Sequence, residues 1–204
     1  MLMILYGASG HAKVICSSLE SENIIIEGIF EDNINIKNLN EYCILGKYTD
    51  NIMTNSNLII SIGNNQIRKE VSQKIKHKFG ISIHESSICD RTLTVGEGSV
   101  ILHNTVVQRD TIVGNHVIIN TNSSIDHDCR IDKFVHVSPN ACICGNVTIG
   151  EGTHIGAGAI VIQGIRIGKW VTIGAGSVII NHIPDYATVV GNPGRIIKEN
   201  EIDE

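Results

Sequence analysis

Three features of the sequence carry residue types able to do chemistry. The triplet Asp126-His127-Asp128 sets an imidazole between two carboxylates, and none of the other eight histidines is flanked that way. A neutral imidazole, with a reference pKa of ~6.5, accepts a proton near neutral pH, and a neighbouring carboxylate stabilises the imidazolium that forms. The turn Gly7-Ala8-Ser9-Gly10-His11 stands between an apolar run and a helical stretch, where main-chain N–H groups and a helix amino terminus bind phosphate. The acidic pair Glu31-Asp32 follows about twenty residues later, the spacing at which a carboxylate meets a ribose in a dinucleotide fold. The G-x-G-x-x-G fingerprint is nevertheless incomplete, so this segment alone gives little support to a nicotinamide cofactor.

The element that must hold His127 is legible from a six-residue period. Steps of six from Ile83 meet an aliphatic column that runs through Ile101, Ile119, Val137 and Ile155 to Ile179, and sixteen of its seventeen members are Ile or Val. Four residues after each aliphatic lies a second column, mostly of small residues such as Ser99, Thr105, Cys129, Ala141 and Ser177. Glycine follows the aliphatic at Gly96, Gly114, Gly150, Gly156, Gly168 and Gly174, where the turn requires either a positive φ or a backbone without a crowding Cβ. Neither a helix nor a simple strand keeps such columns in phase, whereas short strands joined by tight turns do. Residues 83–184 therefore form a β-solenoid domain.

The preceding residues, 1–82, read differently. Met3 to Tyr6, Ile24 to Phe30 and Leu58 to Ile62 predict strands, Ala12 to Leu19 predicts a helix, and Gln66 to Lys78 a charged helix after the turn Gly63-Asn64-Asn65. This order is that of a small Rossmann-like βαβ unit. Residues 185–204 form a carboxyl-terminal tail.

Composition narrows the partners. A net charge of −5 argues against nucleic acid as an electrostatic partner. With 38 Ile and 16 Val against 8 Leu, extended chain is favoured over a helical bundle. No apolar run approaches the ~20 residues of a membrane span, and the start MLMILYGASGHAK shows neither charged leader nor cleavage site, which predicts a cytoplasmic protein. Six cysteines without C-x-x-C spacing read as small buried hydrophobes rather than bridges or zinc ligands, and no metal is expected.

The conjunction of G-A-S-G-H, I-G-N-N-x-x-I-R at Ile62 to Arg68, hexads carrying Asn120-Thr121 and D-H-D, Phe134-x-His136-Val137-Ser138, Gly145-Asn146-Val147 and Val190-Gly191-Asn192-Pro193 resembles a bacterial family. These are the nucleotide-sugar N-acetyltransferases that act on UDP-4-amino-4,6-dideoxy-sugars, relatives of the sialic acid O-acetyltransferases within the hexapeptide-repeat acyltransferases. The resemblance covers nearly the whole chain. It implies a left-handed parallel β-helix of between five and six triangular coils, a homotrimer with sites between neighbouring coils, acetyl-CoA as donor, and a UDP-amino-sugar held by the amino-terminal unit. It further implies His127 as general base with Asp128 orienting it. Ser9, Gly10, His11, Glu31, Asp32, Gly63 and Gln66 would hold the nucleotide sugar, and His136, Gly145, Ala157 and Ala175 the coenzyme. Asp128 stands where many relatives have Glu, leaving a shorter partner for the base.

A thioester is already activated, so transfer needs no cysteine nucleophile; a main-chain N–H near Gly145 would support the oxyanion. Arg166, Lys169, Arg195 and Lys198 are the cations near the later coils and read as ordinary surface charges. Two alternatives share the fold: a sialic acid O-acetyltransferase, and a γ-type carbonic anhydrase, for which His103 and His127 share a hexad column.

Overall fold

The computed structural model describes residues 1–199, so the last five residues of the expected tail lie outside the described residues. The amino-terminal unit is an α/β sheet in the order β3-β4-β2-β1-β5. Its strands are β1 (Leu2–Tyr6), β2 (Ile25–Phe30), β3 (Asn38–Leu39), β4 (Tyr42–Gly46) and β5 (Asn57–Ile60), with helices α1 (Gly10–Ser21) and α2 (Asn65–Ser72). β2 and β5 flank β1 in parallel, as the βαβ reading requires. The β3–β4 hairpin, turning through Asn40 at φ 53°, adds two strands not foreseen from the sequence. The second helix is shorter than its charged pattern suggested. It stops at Ser72, whose hydroxyl donates to the Lys69 carbonyl, because the chain must turn back to bridge Phe79 to Leu58 beside β5.

Seventeen two-residue strands, from Ser82–Ile83 to Val178–Ile179, then wind a left-handed parallel β-helix. They distribute over three faces. The first contains His136–Val137 and His154–Ile155, the second Cys142–Ile143 and Ile160–Val161, and the third Thr148–Ile149 and Arg166–Ile167. Every strand pairs in parallel with the one eighteen residues away, Ser124 with Cys142 and His136 with His154 being examples. The Ile/Val column is buried inside from Ile101 onward, with Val107, Ile125, Ile143 and Val161 at 0–1 % exposure. Each fully buried aliphatic contributes about 1.5–3 kcal/mol, and the repetition makes the coil stack the stable half of the molecule.

The three corners explain the other columns. A left-handed residue recurs every six positions, at Gly98, Asn104, Asp110, His116, Asn122 and Asp128 and onward to Gly176. Short Asn and Asp side chains and Gly tolerate that conformation best. The glycines two positions earlier serve a different purpose. A Cβ on Gly96 would lie 2.5 Å from the Gly114 carbonyl carbon, and one on Gly150 would lie 2.7 Å from that of Gly168. Crowding by the next coil, not a positive φ, therefore selects glycine there.

The six cysteines are free, but only Cys16 and Cys129 are buried. This corrects the expectation that all are small core residues: Cys142 points out of the second face by strand alternation, Cys144 sits at a corner, and Cys43 is exposed on β4. The segment after 184 folds back: Ala187–Val190 pairs with Thr172–Ile173, and Arg195–Glu199 pairs antiparallel to it. Against the first face packs α1, where Val100 and Ile118 join Ala12, Ile15 and Leu19 in one cluster. No helix is long and apolar enough to cross a membrane among the described residues.

Candidate functional site

His127 stands at the corner between the second and third faces. Its ring Nδ1–H donates to Asp128 Oδ2 at 2.7 Å, and its main-chain N–H donates to Asp126 Oδ1 at 2.8 Å. The left-handed φ of Asp128, 59°, turns that carboxylate back toward the ring. With Nδ1 occupied, Nε2 is left as the proton acceptor on a side chain 58 % exposed. The Asp128 hydrogen bond, and then the charge of Asp126, hold the imidazole pKa above its ordinary value.

One coil further on, Gly145 lies against this ring. A Cβ there would come within 2.7 Å of His127 Cε1 and Nε2. The Gly145 N–H finds no acceptor among the described residues, while the neighbouring Asn146 N–H donates to the His127 carbonyl at 2.9 Å. Gly145→Ala is conformationally permitted, so its effect falls on the ring alone: turnover is expected to drop at least about tenfold while the melting temperature holds. Steady-state kinetics beside thermal unfolding check this, and unchanged turnover would show that the ring has room to spare.

The glycine turn leaves donors open at the start of α1. α1 begins after Ser9 with no side-chain cap and no acidic residue in its first turn. The N–H groups of Gly10 and His11 and the Ser9 hydroxyl have no acceptor or donor partner among the described residues, while the Ala12 N–H donates to the Ser9 carbonyl at 3.0 Å; a Cβ on Gly10 would meet nothing within 4 Å. Glu31 has a role the sequence did not suggest. Its Oε2 accepts from the Ala8 N–H at 2.7 Å and its Oε1 from the Asn33 N–H at 2.9 Å, so it braces the turn. Asp32 accepts from the Tyr6 hydroxyl at 2.8 Å. Each carboxylate keeps further lone pairs for a ligand.

The two domains meet at an internal cation. Arg68 of α2 is 1 % exposed and has no carboxylate partner among the described residues. Its Nε donates to the His116 carbonyl at 2.9 Å, Nη1 to those of Ile62 and Gly63 at 3.1 and 3.2 Å, and Nη2 to the Phe134 carbonyl and Asn65 Oδ1 at 2.9 Å. Asn65 in turn donates to the Gly152 carbonyl at 3.0 Å. Beside it the rings of His11 and His136 lie 6.1 Å apart and those of His136 and His154 stack at 5.0 Å. Gly63, Gln66, His136, His154 and Trp170 line one cleft of about 440 Å³ between the domains. His136 Nε2 meets Asn120 Nδ2 at 3.1 Å within the β-helix, and the ring shares the cleft wall with Gly63 of the amino-terminal unit. His11 Nε2, by contrast, is buried without a partner.

Burial, reinforced by the Arg68 charge, lowers the pKa of His11 and of His116 to about 4; burial, then the neighbouring His154 and Arg68, lowers that of His136 to about 3. The fold holds these rings neutral, whereas in the unfolded chain they bind protons below about 6.5. Stability from them is complete above pH 6.5 and is lost as the pH falls toward 4, at up to about 1.4 kcal/mol per pH unit for each ring. Urea unfolding at pH 7.5, 6 and 5 is expected to show that decline; equal midpoints would contradict it.

Comparison with known proteins falls in line with this architecture. Residues 3–75 match the PglD N-terminal domain and residues 146–181 the six-repeat bacterial transferase hexapeptide model. No curated protein sequence matches. Among solved structures, the acetyltransferase domain of PglB from Neisseria gonorrhoeae is 32 % identical with a TM-score of 0.90, over 96 % of this chain and 99 % of that one. The chain belongs to the hexapeptide-repeat acyltransferases. It is an acetyltransferase, and another structure of that PglB domain holds acetyl coenzyme A. A perosamine N-acetyltransferase from Caulobacter crescentus, in complex with CoA and GDP-perosamine, is 28 % identical with a TM-score of 0.93 over 97 % of both chains. WeeI from Acinetobacter baumannii is 26 % identical, with a TM-score of 0.85 over 97 % of this chain and all of that one.

Within one copy, the acetyltransferase gathers only part of the expected site. Ser9, Gly10, His11, Glu31 and Asp32 lie around the carboxyl edge of the amino-terminal sheet, and Gly63 and Gln66 line the cleft against the first face. His127, Asp128 and Gly145 share the corner between the second and third faces. Ala157 and Ala175 stack one coil apart at the corner between the first and second faces, linked through the Gly176 N–H to the Ala157 carbonyl. Sequence reasoning overlooked the structural part of His136, which sits with the nucleotide-side residues, and the whole of Arg68. The spacing of eighteen between Asn65–Arg68 partners such as His116, Phe134 and Gly152 was the available signal.

Proposed function

We propose that this acetyltransferase transfers acetyl from acetyl-CoA to the amino group of a nucleotide-linked amino-sugar, with a UDP-4-amino-4,6-dideoxy-sugar as substrate and His127 as general base. The observation that carries the reading is the His127 ring itself: Nδ1 tied to Asp128, Nε2 free, and an uncommitted Gly145 N–H beside it. The likeness to the perosamine N-acetyltransferase from Caulobacter crescentus supports it. In the reaction the acceptor nitrogen bonds to the thioester carbon, His127 Nε2 takes the proton that this nitrogen sheds, the carbon–sulfur bond breaks with its electron pair going to sulfur, and the imidazolium returns the proton to the thiolate to give the free thiol. Asp128 stabilises the imidazolium, and the Gly145 N–H meets the negative charge that develops on the carbonyl oxygen. The open first turn of α1 receives the diphosphate, and Glu31 and Asp32 face its nucleoside.

The catalytic corner and the nucleotide unit lie on different sides of the prism, so a second copy completes the site. The uncharged second face supplies the surface: its outward row is Ile88, Val106, Ser124, Cys142, Ile160 and Val178, with Ile88 69 % exposed. Packed as a homotrimer, each copy brings its His127 corner toward its neighbour's Ala157–Ala175 corner. The deciding assay offers acetyl-CoA with a panel of UDP- and GDP-linked 4-amino-sugars and sialic acids, reading free thiol. Release with an amino-sugar is expected; release only with sialic acids would replace N- by O-acetylation, and silence throughout would end the proposal.

A further inference from the structure

The corner between the second and third faces carries an electrostatic conflict. Its turns, residues 90–93, 108–111, 126–129, 144–147 and 162–165, hold four carboxylates, Asp90, Asp110, Asp126 and Asp128, against two permanent cations, Arg91 and Arg109. Two of those carboxylates flank His127 and support it as a base, yet the acceptor proposed above is a nucleoside diphosphate, which the same charges repel. Arg109 is the cation placed to offset them. It stands one coil before His127, with the Asp128 N–H donating to its carbonyl at 3.0 Å, whereas Arg91 lies a coil farther away. The Arg109 side chain is exposed, and its one ion pair is the loose contact of Nε with Asp110 Oδ2 at 3.6 Å. Its Nη groups make no hydrogen bond among the described residues, so Asp110 steadies the stem of the guanidinium and leaves the fork open.

We propose that Arg109 binds an oxyanion carried by the acceptor sugar, the phosphate ester at its anomeric carbon or a carboxylate on its ring, and thereby sets the amine against His127. The inference rests on the acetyl-transfer and trimer reading above. In that trimer the corner meets a neighbour's nucleotide unit, whose turn brings His11 to 6.1 Å from His136. His136 is nine residues, half a coil, beyond His127, so copies related by a threefold axis hold the acceptor near the height of the base and within reach of the coil that bears Arg109. An amine at carbon 4 and a phosphate at carbon 1 lie at opposite ends of a pyranose ring, a separation of the same order as the ~4.8 Å between successive coils. A sugar with its amine at His127 thus carries its oxyanion to the guanidinium. Arg, with a planar fork, suits a phosphate or a carboxylate better than a point charge does.

Steady-state kinetics of the intact protein at saturating acetyl-CoA test this with two acceptors, a UDP-4-amino-4,6-dideoxy-sugar and the corresponding UDP-linked 4-amino-hexuronate. Arg109→Gln is expected to raise the acceptor KM about tenfold while kcat stays within about twofold, and Arg109→Lys, which keeps the charge but not the fork, to lose less. A loss already present with the dideoxy-sugar assigns the phosphate, and one confined to the hexuronate assigns the carboxylate; both uphold the inference. Arg130→Gln removes the same charge at the height of the base but on the third face, and its KM is expected to match wild type. An unchanged KM for both acceptors in Arg109→Gln, with only a lower melting temperature or a displaced acidic limb, would show that the residue merely balances Asp110 and overturns the inference. So does a loss with Arg130→Gln as large as with Arg109→Gln. Either result leaves the acetyl-transfer reading standing, whereas wild-type protein that releases no thiol with any amino-sugar overturns that reading and the inference with it.

Discussion

His127→Ala is expected to lower the turnover of acetyl transfer by about 10²–10⁴-fold while leaving the melting temperature and CoA affinity near those of wild type. The separation follows from where the ring stands. Its side chain is 58 % exposed, and the ring's hydrogen bond runs to the adjacent Asp128. Loss of the ring therefore removes the proposed proton acceptor and little else. The pH profile adds a second reading. In the proposed mechanism the base is the neutral ring, whose pKa Asp128 and then Asp126 raise, so activity is expected to climb with pH through a value above the ordinary 6.5. Asp128→Asn keeps a side chain that accepts the left-handed corner but withdraws a charge. Its acidic limb is expected at lower pH and its plateau lower, because the imidazolium loses its partner. Rate profiles between pH 5.5 and 9 for both proteins decide the matter, and coincident acidic limbs would mean that another group takes the proton.

Arg68→Met should cost about 3–5 kcal/mol of stability, the largest effect expected for a residue away from the chemistry. Methionine fills much of the volume but donates nothing, so the carbonyls of Ile62, Gly63, His116 and Phe134 and the Asn65 side chain lose their shared donor inside the protein. Urea unfolding measures the loss. The substitution also removes one cause of the depressed pKa values of His11, His116 and His136, so stability should fall less steeply with acid than in wild type. An Arg68→Met variant with an unchanged midpoint would show that water replaces the guanidinium without penalty.

These two residues also mark what was legible in the sequence. The β-helix could be read because each coil repeats the same inward pair, and one aliphatic column persists from Ile83 to Ile179. His127 could be read because a histidine between carboxylates stands out locally, and Gly145 lies one coil beyond it. Arg68 could not, since it sits in a charged eight-residue helix whose pattern is that of a solvated surface. Its burial comes from carbonyls on residues 48 and 66 positions away, a relationship that no local pattern encodes. The bracing bond of Glu31 stayed hidden for the same reason: it reaches Ala8 across 23 residues and exists only once β1 and β2 lie side by side. The second helix was drawn too long because its composition carries no stop, and the bridge from Phe79 to Leu58 supplies one.

The pairing of every strand with its counterpart eighteen residues away makes the solenoid a ruler graduated in whole coils. Length along the His127 corner cannot be adjusted by fractions: removing six residues would carry Arg166 round to another face, and only a deletion of a full coil would return it to the same edge, ~4.8 Å closer to the base. Spacing along a corner is thus quantised by the backbone, and a chain of this design changes it by gaining or losing entire turns.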